Sequence, residues 1–320
     1  MERKRVPLGN YITEYSVRNR SGEDIPVYSV TNSQGFCTEY FDKEVASKDK
    51  TTYKIVPRGY FAYNPSRINV GSVDWQRCEG RVIVSPLYNV FSVSEKMEQQ
   101  YLFYFLKSNV GRQMIKAKAS GSVRDNLKMD MLKEMTIPER TIEEQKKCVA
   151  TLDALKTIIS LWEKELEKLD ELIKARFVEM FGTLDNPSQE FAKATLKELC
   201  NKITDGKHGG CKAEEGTERY FVGAREIYDD EVHYNTAPEI NIDEFEKDYK
   251  RCNIEIGDFL IVNTGATIGK SAIATDERTE HTLLQKSVAL LKVTKEVLNT
   301  VFLKRSYRVN TQMYIVKSAS

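Results

Sequence analysis

The sequence predicts an α+β protein: two copies of one α/β domain separated by a long coiled-coil helix. Three observations carry this. A block of residues recurs at a nearly constant shift, an apolar seam runs through about 40 residues between the copies, and each copy places short glycine-punctuated apolar runs before a helical stretch.

The repeat comes first. Ile55-Val56-Pro57-Arg58-Gly59-Tyr60-Phe61-Ala62-Tyr63-Asn64 leads on to Gly71, and Ile254-Glu255-Ile256-Gly257-Asp258-Phe259-Leu260-Ile261-Val262-Asn263 leads on to Gly269. Gly59 to Gly71 spans 12 residues, as does Gly257 to Gly269, and the shift between blocks is 198. Phe105-Leu106-Lys107 matches Phe302-Leu303-Lys304 at 197, while Gln113-Met114 matches Gln312-Met313 and Lys118 matches Lys317 at 199. Four anchors at nearly one shift are the signature of a repeated structural unit.

In order along the chain, residues 1–140 form the first domain, with strands expected at 25–30, 60–63, 82–84 and 88–93 and a helix over 99–118. Residues 141–182 form the spacer helix. Residues 183–320 form the second domain, with strands at 220–222, 259–262 and 288–293 and a helix over 297–316. Glycines at 35, 59, 71, 80, 257, 265 and 269 punctuate the strands as turns. A curved or barrel-like sheet flanked by helices is expected in each copy.

The spacer has its own start and stop signals. Thr141-Ile142-Glu143-Glu144 is a capping box, in which the Thr hydroxyl accepts from the third helical amide and Glu144 reaches back. Gly182 and Pro187 end it. Between them Leu152, Leu155, Ile159, Trp162, Leu166, Leu169 and Ile173 step by three and four, the spacing of a coiled-coil seam. About 40 residues at about 1.5 Å each give a rod of about 60 Å, whose seam needs a partner. A long core helix inside a single domain is the alternative, and a domain-sized block on each side argues against it.

The length of 320 residues fits two domains, and 41% hydrophobic residues suffice for packed cores. With no apolar run of 18 residues, no membrane span is expected. Met1-Glu2-Arg3-Lys4-Arg5 is not followed by an apolar segment, so it does not read as a signal peptide. The six cysteines, at 37, 78, 148, 200, 211 and 252, form no CxxC pair and fit free thiols in a reducing cytoplasm.

Net charge is +1 but uneven. Lys and Arg against Asp and Glu number 22 and 16 in residues 1–140, 7 and 9 in 141–181, and 19 and 22 in 182–320, giving +6, −2 and −3. The acidic run from 226 to 248 reads as a solvated loop face. The clearest positive feature is Lys107, Arg112, Lys116, Lys118, Arg124 and Lys128, interrupted only by Asp125. Arg112 and Lys116 share a helix face, suited to phosphates. Lys304, Arg305, Arg308 and Lys317 recur in the second copy. Groups that read bases should lie on loops that differ between copies: Asn32 to Gln34 in the first, and Lys207, His208 and Arg225 in the second.

Several stretches carry a family resemblance. They are Lys202-Ile203-Thr204-Asp205-Gly206-Lys207-His208, Ile256-Gly257-Asp258-Phe259-Leu260, Thr264-Gly265-Ala266-Thr267-Ile268-Gly269, and Gly121-Ser122-Val123-Arg124-Asp125-Asn126-Leu127 ahead of Ile137-Pro138 and Glu143-Glu144-Gln145-Lys146-Lys147. Together the chain resembles the specificity subunit of type I restriction-modification enzymes. The resemblance implies that each domain is a target recognition domain reading one half of a split site in double-stranded DNA. It implies that the helices are spacers and docks for methyltransferase (modification) subunits. A restriction (translocase/nuclease) subunit is implied as well, and S-adenosylmethionine is expected in a partner rather than in this chain. One departure stands out. At a shift of 199 Ser320 aligns with Gly121, so the counterparts of about residues 122–181 fall outside this sequence. The seam is then expected to pair with another chain, self-association included, or the chain is a shortened form.

Catalysis is not expected. Asn64-Pro65-Ser66-Arg67 resembles the Asn-Pro-Pro-Tyr motif of adenine methyltransferases but lacks the second Pro and the aromatic residue, and no methyl-donor loop precedes it. Gly265-Ala266-Thr267-Ile268-Gly269-Lys270-Ser271 has three residues between its glycines where a P-loop needs four. Cys200, His208 and Cys211 lack an evident fourth metal ligand, and His233 and His281 have no partner that the sequence can name. The sequence therefore points to a non-catalytic DNA reader. A coiled-coil assembly scaffold without DNA binding is the alternative, and it would need no recurring basic helix.

Overall fold

The computed structural model describes residues 3–38, 49–119, 126–183, 185–190 and 192–310. The chain divides into two compact units, Met1–Trp162 and Glu163–Ser320.

The first unit holds β1 (Arg5–Pro7), β2 (Ile12–Glu14), β3 (Ser29–Thr31), β4 (Gly35–Cys37), β5 (Lys54–Pro57), β6 (Phe61–Tyr63), β7 (Val73–Trp75), β8 (Arg81–Val84) and β9 (Asn89–Val93). Helices α1 (Gln99–Lys107), α2 (Asn109–Ala119) and α3 (Met129–Lys133) follow, then β10 (Thr136–Pro138). Its main sheet is antiparallel, in the order β2-β9-β6-β7. Strands β2 and β7 stand at the two ends of this order. Residues alternate faces along a strand, and β6 is buried on both: Phe61 and Tyr63 enter one core cluster and Ala62 another. Phe61 lies opposite Phe91 in register and stacks on it at 5.0 Å between ring centroids.

Helix α4 (Ile142–Phe181) runs on into the second unit, which continues with α5 (Leu196–Leu199), β11 (Cys200–Asp205), β12 (Tyr220–Val222), β13 (Ile227–Tyr228) and β14 (Glu231–Val232). Then come α6 (Ile242–Cys252), β15 (Phe259–Val262), β16 (Ser271–Ile273), β17 (Thr282–Leu284), β18 (Val288–Val293) and α7 (Thr300–Asn310). The four-stranded sheet has the order β11-β18-β15-β16, the counterpart of β2-β9-β6-β7. Here too the central strand is buried on both faces: Leu260 and Val262 enter one cluster and Phe259 the other. A parallel pairing recurs as well, as the single bridge Val27–Ile83 in the first unit and the full β12–β17 pair in the second. The repeat in sequence is therefore a repeat in topology.

The structure corrects several expectations. The helix expected over 99–118 is two helices broken at Ser108, whose hydroxyl donates to the Phe105 carbonyl and accepts from the Gly111 amide, at 2.7 and 3.1 Å. A Cβ on Gly111 would overlap the Phe105 carbonyl, so glycine lets the second helix begin there. The strand expected at 25–30 is only Ser29–Thr31. The helix expected over 297–316 is described as Thr300–Asn310, and its remainder lies outside the described residues. The acidic run 226–248 is not a plain loop face, since it includes β13, β14 and most of α6. Its Glu226 is buried and accepts from the Gly223 amide at 2.9 Å.

The long helix begins as expected. Thr141 and Glu144 exchange hydrogen bonds in a capping box at 3.0 and 3.3 Å. Gln145 is buried and fixes the first turn to the first unit, donating to the carbonyls of Lys96 and Arg140 and accepting from the Glu98 amide. In the second unit, Phe177 and Phe181 pack on Phe302 of α7 at 5.4 and 5.0 Å. Between these anchors every residue from 150 to 176 is exposed. Leu152, Leu155, Ile159, Trp162, Leu166, Leu169 and Ile173 are all among them, Trp162 and Leu166 at 66%.

Candidate nucleic-acid interface

The positive charge of the first unit sorts into occupied and open groups. Arg112 and Lys116, one turn apart on α2, are exposed and make no ion pair among the described residues. Lys118 pairs with Glu134 at 2.7 Å. Arg124 lies outside the described residues. Lys107 ends α1 and turns inward. Its ammonium donates to the Asn32 carbonyl at 3.0 Å, to the Asn32 side-chain oxygen at 3.2 Å and to the Gly71 carbonyl at 2.6 Å. Burial pulls this ammonium below the usual lysine range, with the Asp74 carboxylate acting against that and Arg112 with it. Three oxygens of the chain thus occupy Lys107, whereas Arg112 and Lys116 are open to solvent, as is Lys128.

Lys107 grips a hairpin. Strands β3 and β4 pair from Ser29–Cys37 to Thr31–Gly35, and Asn32, Ser33 and Gln34 form the turn. Asn32 and Gln34 are exposed, but the Asn32 side chain already serves Lys107. The Gln34 amide nitrogen of the backbone donates to the Thr31 hydroxyl at 3.1 Å, which leaves its side chain outward. Asp74 fixes the other arm, accepting from the Phe36 amide at 3.3 Å and pairing with Arg77 at 3.2 Å. Burial lifts the Asp74 carboxyl above the usual range, against the pull of Arg77 and two backbone amides.

The second unit repeats the arrangement with different chemistry. Strands β13 and β14 form a tight hairpin with Asp229 and Asp230 at its turn, at φ +49° and +65°. Carboxamide and carboxylate side chains tolerate this left-handed region better than most. Lys304 donates to the Asp230 carbonyl at 3.1 Å and lies 3.5 Å from its carboxylate. Arg308 pairs with the same carboxylate at 2.7 Å and lies 3.8 Å from Asp170 of α4. Arg305, half-buried, lines a cleft of about 250 Å³ between α7 and the end of α4 with Lys174 and Phe177. Two of the three cations of this helix, Lys304 and Arg308, are therefore engaged by acidic residues of the chain itself.

The base-reading candidates of the second unit also separate. Lys207 is held by Asp248 at 2.7 Å and Glu244 at 3.5 Å, both on α6, and the Asp248 bond raises its pKa. His208 is exposed and bonds Asp205 at 2.9 Å, and Asp205 also pairs with Arg251. Arg225 is exposed, with no ion pair among the described residues. The 265–269 segment is a turn leading into β16: the Ile268 amide donates to the Gly265 carbonyl and the Gly269 amide to the Val262 carbonyl. Among the described residues no group of three or more His, Cys, Asp or Glu side chains could hold a metal. No described helix is long and apolar enough to cross a membrane.

Sequence reasoning named Gly71 only as a turn glycine and missed Asp74, Asp230 and Tyr307, which with it build the two hairpin mounts. One signal was present: Asn32 and Asp230 lie 198 residues apart, the shift that relates Gly71 to Gly269.

Comparison with known proteins adds the following. The type I restriction modification DNA specificity domain family matches residues 8–171. A chain from a study of complex assembly and conformational transition in the type I R-M system aligns over 96% of this chain and 79% of that one, at 17% identity and a TM-score of 0.55. That alignment shows a shared fold. The HsdS subunit from Thermoanaerobacter tengcongensis aligns over 98% of this chain and 81% of that one, at 15% identity and 0.45. The type I S subunit from M. genitalium aligns over 99% and 79%, at 15% and 0.45. No curated protein matches.

Proposed function

The chain belongs to the type I restriction modification DNA specificity domain family, and from that membership we propose that it is the sequence-reading subunit of such a system. Each unit reads one half of a split, asymmetric site in double-stranded DNA. Partner subunits, one carrying S-adenosylmethionine and another the restriction activity, carry out methylation of adenine and cleavage in the cytoplasm. The observation that carries this reading is the repetition of one topology around two differently sequenced hairpins. Two like readers with unlike tips suit two unlike half-sites.

The open cations Arg112 and Lys116 suit phosphates, which supply affinity and salt dependence but no sequence choice. The apolar stripe from Leu152 to Ile173 suits docking of methyltransferase subunits or of a second copy of the chain.

The test is selection of bound duplexes from a random pool by the chain assembled with its partners. Two short motifs separated by a gap of fixed length and free sequence are expected. Half-sites read from one face of the duplex lie about one helical turn, roughly 34 Å, apart. A single uninterrupted motif, or a gap of any length, overturns the reading.

A further inference from the structure

The two hairpin mounts are equivalent in position but not in chemistry. Lys107 and Lys304 are related by 197 residues, and the turn residues they hold, Asn32 and Asp230, by 198. In both units the ammonium bonds the backbone carbonyl of that turn residue, at 3.0 and 3.1 Å. In both units the same helical segment also bonds the carbonyl of the corresponding turn glycine. Lys107 does so itself at Gly71, whereas in the second unit Tyr307, one turn beyond Lys304, donates to Gly269 at 3.0 Å. The side chains around the mount have diverged, yet the cation and its carbonyl acceptor are present in both.

A bare two-stranded hairpin is marginally stable in water, and recognition needs side chains held to within about 0.5 Å. Sequestering an ammonium is costly, so a half-buried lysine at both mounts is a poor choice for packing alone. It suits a rigid offset between hairpin and helix. The tips it holds up are exposed: Gln34 in the first unit and Asp229 in the second.

We propose that Lys107 and Lys304 are positioning residues for two equivalent base-reading hairpins, β3–β4 and β13–β14, whose tips Gln34 and Asp229 contact base edges in the major groove. The assignment rests on the reading of the two units as half-site readers. It moves base reading in the second unit from Lys207, which two carboxylates occupy, to the hairpin. The tip chemistry names the bases. A Gln amide is complementary to N6 and N7 of adenine, and a carboxylate accepts from N4 of cytosine.

The test compares the full chain, assembled with its partner subunits, with Lys107→Met, Lys107→Arg, Lys304→Met, Gln34→Ala and Asp229→Ala. Each is put through selection from a random duplex pool and a salt titration on one non-specific duplex. Lys107→Met and Gln34→Ala should lose tenfold or more discrimination in one half-site and none in the other. Lys304→Met and Asp229→Ala should do the reverse. Lys107→Arg should restore part of the loss, and the salt slope should not change. The two tip variants leave the mounts intact, so they report even where a Met variant fails to fold. Retention of both half-sites by the tip variants overturns the proposal while leaving the half-site reading standing. So does uniform weakening on all duplexes with a shallower salt slope, because that marks Lys107 as a phosphate contact. A parent complex that selects no split site overturns both.

Discussion

Gly71 shows how much of the candidate interface hangs on single atoms. Its φ is +98°, a region that costs a residue with a Cβ about 1–3 kcal/mol. A Cβ there would also overlap the Asn32 side-chain oxygen and stand 3.4 Å from the Arg112 guanidinium. Gly71→Ala should therefore strain the turn and displace the first hairpin. Gly209, at φ +91° with open space around it, is the control, because Gly209→Ala adds backbone strain alone. Thermal unfolding should show Gly71→Ala below Gly209→Ala, and duplex selection should show a blurred half-site only for Gly71→Ala. Equal behaviour of the two variants would mean that the contact with Asn32 is immaterial. The basic residues make the same point about single atoms. Sequence groups Lys107 with Arg112 and Lys116, yet the first bonds three oxygens of the chain and the other two face solvent.

Among the elements, α4 has the plainest consequence. Its first turn is anchored through Gln145 and its last turns through Phe177 and Phe181, while residues 150–176 are all exposed. Ile159 and Leu166 are 56% and 66% exposed, so charging them removes little packing from this chain. Ile159→Asp with Leu166→Asp should leave the unfolding midpoint within a few degrees of the parent yet abolish assembly with partner subunits or with a second copy. Sedimentation of the mixture reads this directly. A double variant that assembles like its parent excludes the stripe as a docking surface. The limits of this helix were legible because cap, seam and glycine stop are all local signals. The break at Ser108 was not, since an apolar period continues across it and only the Gly111 approach to Phe105 reveals it.

For the whole molecule, the duplicated fold suits the proposal of two half-site readers. The segment most like a P-loop is a tight turn, in which the Ile268 amide donates to the Gly265 carbonyl and the Gly269 amide to the Val262 carbonyl. Incubation of the purified chain with S-adenosylmethionine and mixed duplex DNA should leave the DNA unlabelled, whereas the assembled complex should label adenine. Label incorporated by the chain alone, after removal of contaminating methyltransferase, would overturn this division of labour.

The sequence by itself determined the duplication, the limits of the long helix and the central strands β6, β9, β15 and β18. Each of these is written in local periodicity or in self-similarity at a nearly constant shift. The tertiary structure alone decided the pairing of β1 with β10, the short hairpins and the partners of the cations. Arg5 meets Pro138, and Lys107 reaches back 75 residues to Asn32. Hairpin strands of two or three residues joined by polar turns leave no apolar run in the sequence, unlike β6, which lies in the run from Tyr60 to Tyr63. Whether a lysine is open to phosphate or closed on a carbonyl depends on which backbone folding brings against it, and neighbours in sequence carry no trace of that approach.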